Sequence, residues 1–188
     1  MHLFAAMLLI ATLNQQAEPI VSSPAGVRPD STIRFPKVDG SNLESRRFSL
    51  PAEFEGELNI VLVAFRREQQ ADVDTWVPFL KATAGRHAAV RAYELPTLSR
   101  GYRVMRGFID GGMARGIPEK ATREATITLY IDKKPFKKAL GITSEDRIVT
   151  LLVTRDGRVL WRADGRHSDE SAAELASEIE RRVRASAP

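Results

Sequence analysis

The side chains that most often carry chemistry are sparse in this sequence, and one type is missing altogether. There is no cysteine among the 188 residues, which excludes a thiolate nucleophile, a disulfide, thiolate-bound zinc and an iron–sulfur cluster together. Of the three histidines, His2 falls in an apolar leader and His87 in a turn. His167 stands between Asp164 and Asp169, just ahead of the last expected helix. One imidazole with two carboxylates could make a weak metal or acid–base site, although the same residue types simply solvate a helix start. No serine is marked as a strained nucleophile, so no Ser-His-Asp arrangement is traceable. No Gly-Lys-Ser/Thr follows the glycines between Gly101 and Gly116, and Gly-x-Gly-x-x-Gly spacing is absent, so they form no phosphate loop. No metal, cofactor or catalytic residue is assigned on this reading.

Two stretches carry polar groups in a pattern. Arg66, Arg67 and Gln70, with Asp72 and Asp74, gather at a strand-to-helix junction. A helix amino terminus there could hold an anion, or Asp72 could fill that place itself as the N-cap. The second stretch runs from Arg100 to Gly116. Arg100, Arg103 and Arg106 recur every three residues, while Tyr102, Met105, Ile109 and Met113 fall at helical spacing on a neighbouring face. A basic, methionine-containing amphipathic segment suits an adaptable partner surface or an anionic membrane face. The plainer alternative is an insertion helix docked on its own domain with its arginines in water. Each glycine within it costs about 0.8–1 kcal/mol relative to alanine, so such a helix needs something to pack against.

The elements that would position these groups follow from periodicity. Phe35–Gly40 and Arg47–Leu50 suggest a hairpin with Asp39-Gly40 as its turn dipeptide. Leu58–Phe65 is a nearly unbroken apolar run, as expected of a strand buried on both faces. A helix is expected from about Val73 to Thr83, with Val73, Trp76, Val77 and Leu80 as its apolar face, a kink at Pro78 and an end at Gly85. Ala88–Leu95 is a strand closed by Pro96, Thr126–Ile131 another, and Pro135–Leu140 a short helix stopped by Gly141. Arg147–Thr154 and Arg158–Arg162 form a hairpin around Asp156-Gly157, and Ser168 caps a final helix over Asp169–Arg184. Trp76 and Trp161 are read as core residues. Alternating strands and helices, ended by an antiparallel hairpin and one helix, predict an α/β fold: a mixed sheet flanked by helices.

With 43% apolar and 28% charged residues, the chain supports one well-buried core. Its net charge of +4 is spread along the sequence, so nucleic-acid binding, which concentrates charge on one element, is not expected. The amino terminus differs in kind. Leu3–Leu13 is an uncharged apolar run followed by Asn14-Gln15-Gln16-Ala17; it is short for a bilayer span and matches a signal-peptide core. The predicted organisation is a leader over 1–17, a Pro- and Ser-rich linker over 18–34 and a folded domain over 35–188 with an insertion at about 99–120. An exported protein is expected, periplasmic or tethered by an uncleaved leader.

The order of elements resembles the thioredoxin-like fold with an extended amino-terminal part, as in peroxiredoxins. Phe65 and Pro78 are thirteen residues apart, as are the strand-ending Phe and helix Pro of thioredoxins. That register puts the redox pair's positions on Gln70 and Val73. Ile148–Gly157 looks like the family's Ile-Pro-Thr segment, with Val149 where the cis-proline would stand; a non-proline cis bond costs about 2.5–4 kcal/mol, so Val149 is expected trans. Ala64 stands where the family's buried carboxylate would be. Trp76–Leu80, the insertion, Leu140–Thr143 and Asp156–Gly165 also resemble the mitochondrial ATP synthase assembly factor family, which implies a chaperone or assembly role rather than redox chemistry. The resulting expectation is a redox-inactive binding or assembly protein with a protein client, which the assembly-factor resemblance would make membrane-associated, and residues 99–118 as its contact surface. The competing reading is a non-thiol enzyme or anion-binding protein using Arg66, Arg67 and Gln70. No small-molecule ligand is specified.

Overall fold

The computed structural model describes residues 33–185. The leader over 1–17 and all but the last two residues of the linker over 18–34 lie outside them. Seven strands form one mixed sheet in the order β2-β1-β5-β4-β3-β6-β7. They are β1 (Val38–Asn42), β2 (Arg47–Leu50), β3 (Leu58–Ala64), β4 (Val90–Ser99), β5 (Ile127–Ile131), β6 (Val149–Thr154) and β7 (Val159–Asp164). The helices are α1 (Gln70–Arg86), α2 (Arg106–Gly116), α3 (Lys120–Ala125), α4 (Lys133–Ala139) and α5 (Asp169–Ala185), with short 3-10 helices at Arg67–Gln69 and Arg100–Met105.

Every residue of β3 is buried, because the strand runs parallel to β4 on one side and antiparallel to β6 on the other. Its alternating side chains feed two cores. Leu58, Ile60, Leu62 and Ala64 pack with Val73 and Trp76 of α1, Trp161, and Leu175 and Ile179 of α5. Val61 and Val63 face the other way, toward Phe35, Phe54, Phe136 of α4, Val149 and Leu151. Both tryptophans are essentially unexposed, as core residues should be.

Several local expectations shift. Asp39-Gly40 is not the hairpin turn: β1 runs through it, and a Cβ on Gly40 would come within 2.7 Å of Ile127 and Leu129 on the neighbouring strand. The glycine is there for close approach of a side-chain layer. The turn lies at Leu43–Arg46, organised by the Asn42 side chain, whose Oδ1 accepts from the Glu44 and Arg46 amides at 3.1 and 2.8 Å. Asp72 is not the N-cap of α1, which starts two residues earlier and continues through Pro78 and Gly85 to Arg86. β4 likewise continues past Pro96, which stands where pairing with β3 ends and pairing with β5 begins. At the carboxy end the Asp156-Gly157 turn (Gly157 φ 87°) and the Ser168 cap on the Ser171 amide stand as read.

Candidate functional site

At the junction where a redox pair would sit, the chain leaves β3 through Phe65 and Arg66 into α1. Gln69, 5% exposed, organises the turn. Its Oε1 accepts from the Phe65 amide at 2.8 Å and the Arg66 amide at 3.2 Å, and its Nε2 donates to the Glu145 carbonyl at 2.8 Å. One amide thus satisfies three backbone groups that would otherwise be stranded. Sequence reasoning passed over Gln69, although a strand-to-helix corner with several orphan backbone groups calls for such a residue.

Gln70 donates to Asp74 at 3.0 Å. Val73 is buried against Trp76 in the α1-side core, whereas Val149 belongs to the opposite core. The two segments do meet at one tip of the sheet, since Val149 is paired with Val63 at the end of β3. The side chains nevertheless part company, because residues alternate across a sheet and it is Ile148 that faces α1. The Val149 peptide bond is trans: among the described residues Leu50-Pro51 alone is cis.

The corner also carries carboxylates beside its arginines. Arg66 is paired with Asp146 at 2.9 Å, and Arg166 reaches Asp72 at 3.6 Å. Beside Gln70, burial and the nearby Asp74 carboxylate push the Glu94 carboxyl up to about 7. His167 packs edge-on against Trp76, 5.1 Å between centroids, and its amide donates to Thr75 at 3.0 Å. No group of three or more potential metal ligands occurs among the described residues.

The insertion departs from a single amphipathic helix. Arg100–Met105 is 3-10 and α2 begins at Arg106. Three residues per turn stack positions i and i+3, so Arg100 and Arg103 share one face, with Tyr102 and Met105 on another. On α2, Ile109 and Met113 are half-buried, while Arg106 and Asp110 bind the sheet. Arg106 donates to the Ser41 hydroxyl and pairs with Asp110 at 3.1 Å, and the Tyr130 hydroxyl donates to Asp110 at 2.8 Å. Burial, then that carboxylate, raises the Tyr130 phenol. Among the described residues the exposed large apolar side chains are Tyr102, Val104, Met105 and Phe108, with Val104 92% and Phe108 75% exposed.

These features define a thioredoxin-like α/β protein without the thiols of a redox site. No protein-family model matches the chain, and no curated protein does. Solved structures do. BsSco, a member of the Sco family of cytochrome c oxidase assembly proteins, is similar over 82% of this chain and 95% of its own, at 12% identity and a TM-score of 0.57. The thioredoxin domain of a thiol-disulfide oxidoreductase from Bacteroides vulgatus is similar over 79% and 96%, at 16% identity and a TM-score of 0.53. An exposed lipoprotein thioredoxin from Streptococcus pneumoniae is similar over 77% and 99%, at 11% identity and a TM-score of 0.50. At these identities the likeness establishes the fold.

Segments that carry the assembly-factor resemblance meet in space, and their hydrogen bonds are structural. Trp76 Nε1 donates to the Gly165 carbonyl at 3.1 Å. Arg162 pairs with Asp164 at 2.7 Å and donates to the Leu140 and Gly141 carbonyls at 2.9 and 3.0 Å. These contacts tie β7 and the residue after it to the body of α1 and the carboxy end of α4.

Proposed function

We propose that this protein is a redox-inactive binding protein of assembly or chaperone type, which engages a protein client through the segment Arg100–Met113. The observation that carries this reading is the concentration of exposed apolar side chains. Among the described residues, all four large ones lie between Tyr102 and Phe108, whereas a monomer's exposed apolar residues are ordinarily scattered. Of the residues first assigned to this surface, Arg100, Tyr102, Arg103 and Met105 are exposed. Arg106 ties the segment to the sheet through Ser41, Ile109 and Met113 are half-buried, and Val104 and Phe108 join the surface. The apolar run Leu3–Leu13 supports placement outside the cytoplasm, periplasmic or tethered by that run. The client would then be a membrane-associated protein, as the assembly-factor resemblance suggests. The competing anion-using enzyme at Arg66, Arg67 and Gln70 loses support, because Arg66 is paired and carboxylates gather beside Gln70.

The test is site-specific photocrosslinking from positions 104 and 108 of the full chain in its native cells. Discrete protein adducts that disappear in a Val104→Asp/Phe108→Asp variant of unchanged melting temperature are expected. The same clients recovered with that variant would remove this surface from the function.

A further inference from the structure

The strands β2, β1 and β5 leave one side of the sheet uncovered beside the 3-10 turn, forming a groove of about 1220 Å3. Arg100, Arg103 and Arg106 line one wall, Lys37 and Arg47 the strand side. The charges in it are unevenly matched. Of its four carboxylates Asp156 is ion-paired, with Arg158 at 3.1 Å, whereas Asp39 accepts from the Ser49 hydroxyl at 2.8 Å, Glu53 from the Ser49 amide and Asp132 from the Lys134 amide at 3.0 Å, neutral donors that leave the charge in place. Five lining cations, Lys37, Arg47, Arg100, Arg103 and Arg155, make no ion pair among the described residues. On the floor, Thr128 is 1% exposed and its hydroxyl has no hydrogen-bond partner. Five unpaired cations against three unpaired carboxylates leave an excess of positive charge in the groove. A ligand that brings acceptor oxygens relieves that excess.

We infer that this groove binds an acidic segment of the client: an extended run with several Asp or Glu side chains next to a large apolar residue. The inference rests on the proposed contact surface and specifies its partner. Arginine forks match carboxylates in a bidentate manner, and a groove of this size takes several residues where one phosphate would leave it mostly empty. The 3-10 turn sets both features on one short element. Its Arg100/Arg103 face lines the groove, and Tyr102 and Met105 flank it, ready for the apolar residue. A bilayer fits less well, because a flat surface resting on Val104 and Phe108 cannot enter the concave space between Arg100 and Arg103 on one wall and Lys37 and Arg47 on the other.

The test is fluorescence anisotropy with the full chain. Its probes are a labelled peptide alternating Asp and Glu beside one Phe, the matching Asn/Gln peptide, and vesicles of phosphatidylcholine with and without phosphatidylserine. The acidic peptide should bind at least about tenfold more tightly than its neutral counterpart, and salt should weaken it. Arg100→Glu/Arg103→Glu should abolish that preference with the melting temperature unchanged. Lys37→Glu, on the opposite wall, should weaken binding independently of the insertion. Equal affinity for the two peptides, or an acidic preference that survives the double reversal, overturns the inference. So does binding to phosphatidylserine vesicles, lost in the double reversal, with no peptide bound. Client adducts that depend on Val104 and Phe108 without acidic-peptide binding refute the groove alone, whereas adducts that persist in Val104→Asp/Phe108→Asp refute the contact surface.

Discussion

Replacing Glu94 by Gln should stabilise the protein at high pH and leave it nearly unchanged at low pH. Glu94 lies on β4 beneath the start of α1, beside Gln70 and Asp74. Burial, then the Asp74 charge, lifts its carboxyl from the ordinary 4.5 to about 7, offset in part by the Gln70 amide. The folded protein therefore holds this proton more tightly than the unfolded chain does. As pH rises through 4.5 the unfolded state ionises first, and stability falls until the folded carboxyl has ionised as well, above about 7. At about 1.4 kcal/mol per pH unit, the gap sets a ceiling of about 3–4 kcal/mol; residual hydration of a side chain that is not fully buried should bring the observed loss to about 1–2 kcal/mol. Glutamine keeps the shape and removes the charge. Urea denaturation of both proteins between pH 4.5 and 8 should give coincident stabilities at the acid end and a variant more stable by about 1–2 kcal/mol at the alkaline end. A difference that does not change with pH, or a variant less stable at pH 8, refutes the argument.

Other outcomes follow from single contacts. Gln69→Leu leaves the Phe65 and Arg66 amides and the Glu145 carbonyl without their partner and should cost about 2–3 kcal/mol in urea unfolding. Trp76→Ala, in a wholly buried position, should cost about 3–5 kcal/mol by the same measurement. A Cβ on Gly112 of α2 would meet nothing within 4 Å, so Gly112→Ala should add about 0.5–1 kcal/mol of stability. At Glu178, burial raises the carboxyl, but Arg181 and Arg182 more than offset it and hold it low. Its contribution is present above the ordinary carboxylate range and lost as pH falls through the depressed value. Glu178→Gln should therefore be less stable than wild type at neutral pH and converge with it in strong acid.

Much of the architecture was legible from periodicity and end signals. The unbroken apolar run at Leu58–Phe65, the turn at Asp156-Gly157 and the capped final helix lie where local rules put them, because each is decided by residues close in sequence. Errors fell where a neighbour distant in sequence decides. Asp39-Gly40 reads as a turn until Ile127 and Leu129 come against it, and Gln69 looks like a surface glutamine until Glu145 is brought to its amide. The Arg100–Arg106 repeat was visible, yet its period of three was read as α-helical when it is also the period of a 3-10 turn.

By itself the sequence determined that thiol chemistry is impossible here, since no arrangement supplies an absent thiol, and that the strand at Leu58–Phe65 would be buried on both faces. The tertiary structure alone decided which side of that sheet each residue serves. Val73 and Val149 close separate cores, Arg66 is neutralised by Asp146, and Lys37 and Arg47 are brought opposite Arg100 and Arg103 by pairing of β1 with β5. Charge is written residue by residue, but compensation depends on distance, and only folding sets the distances.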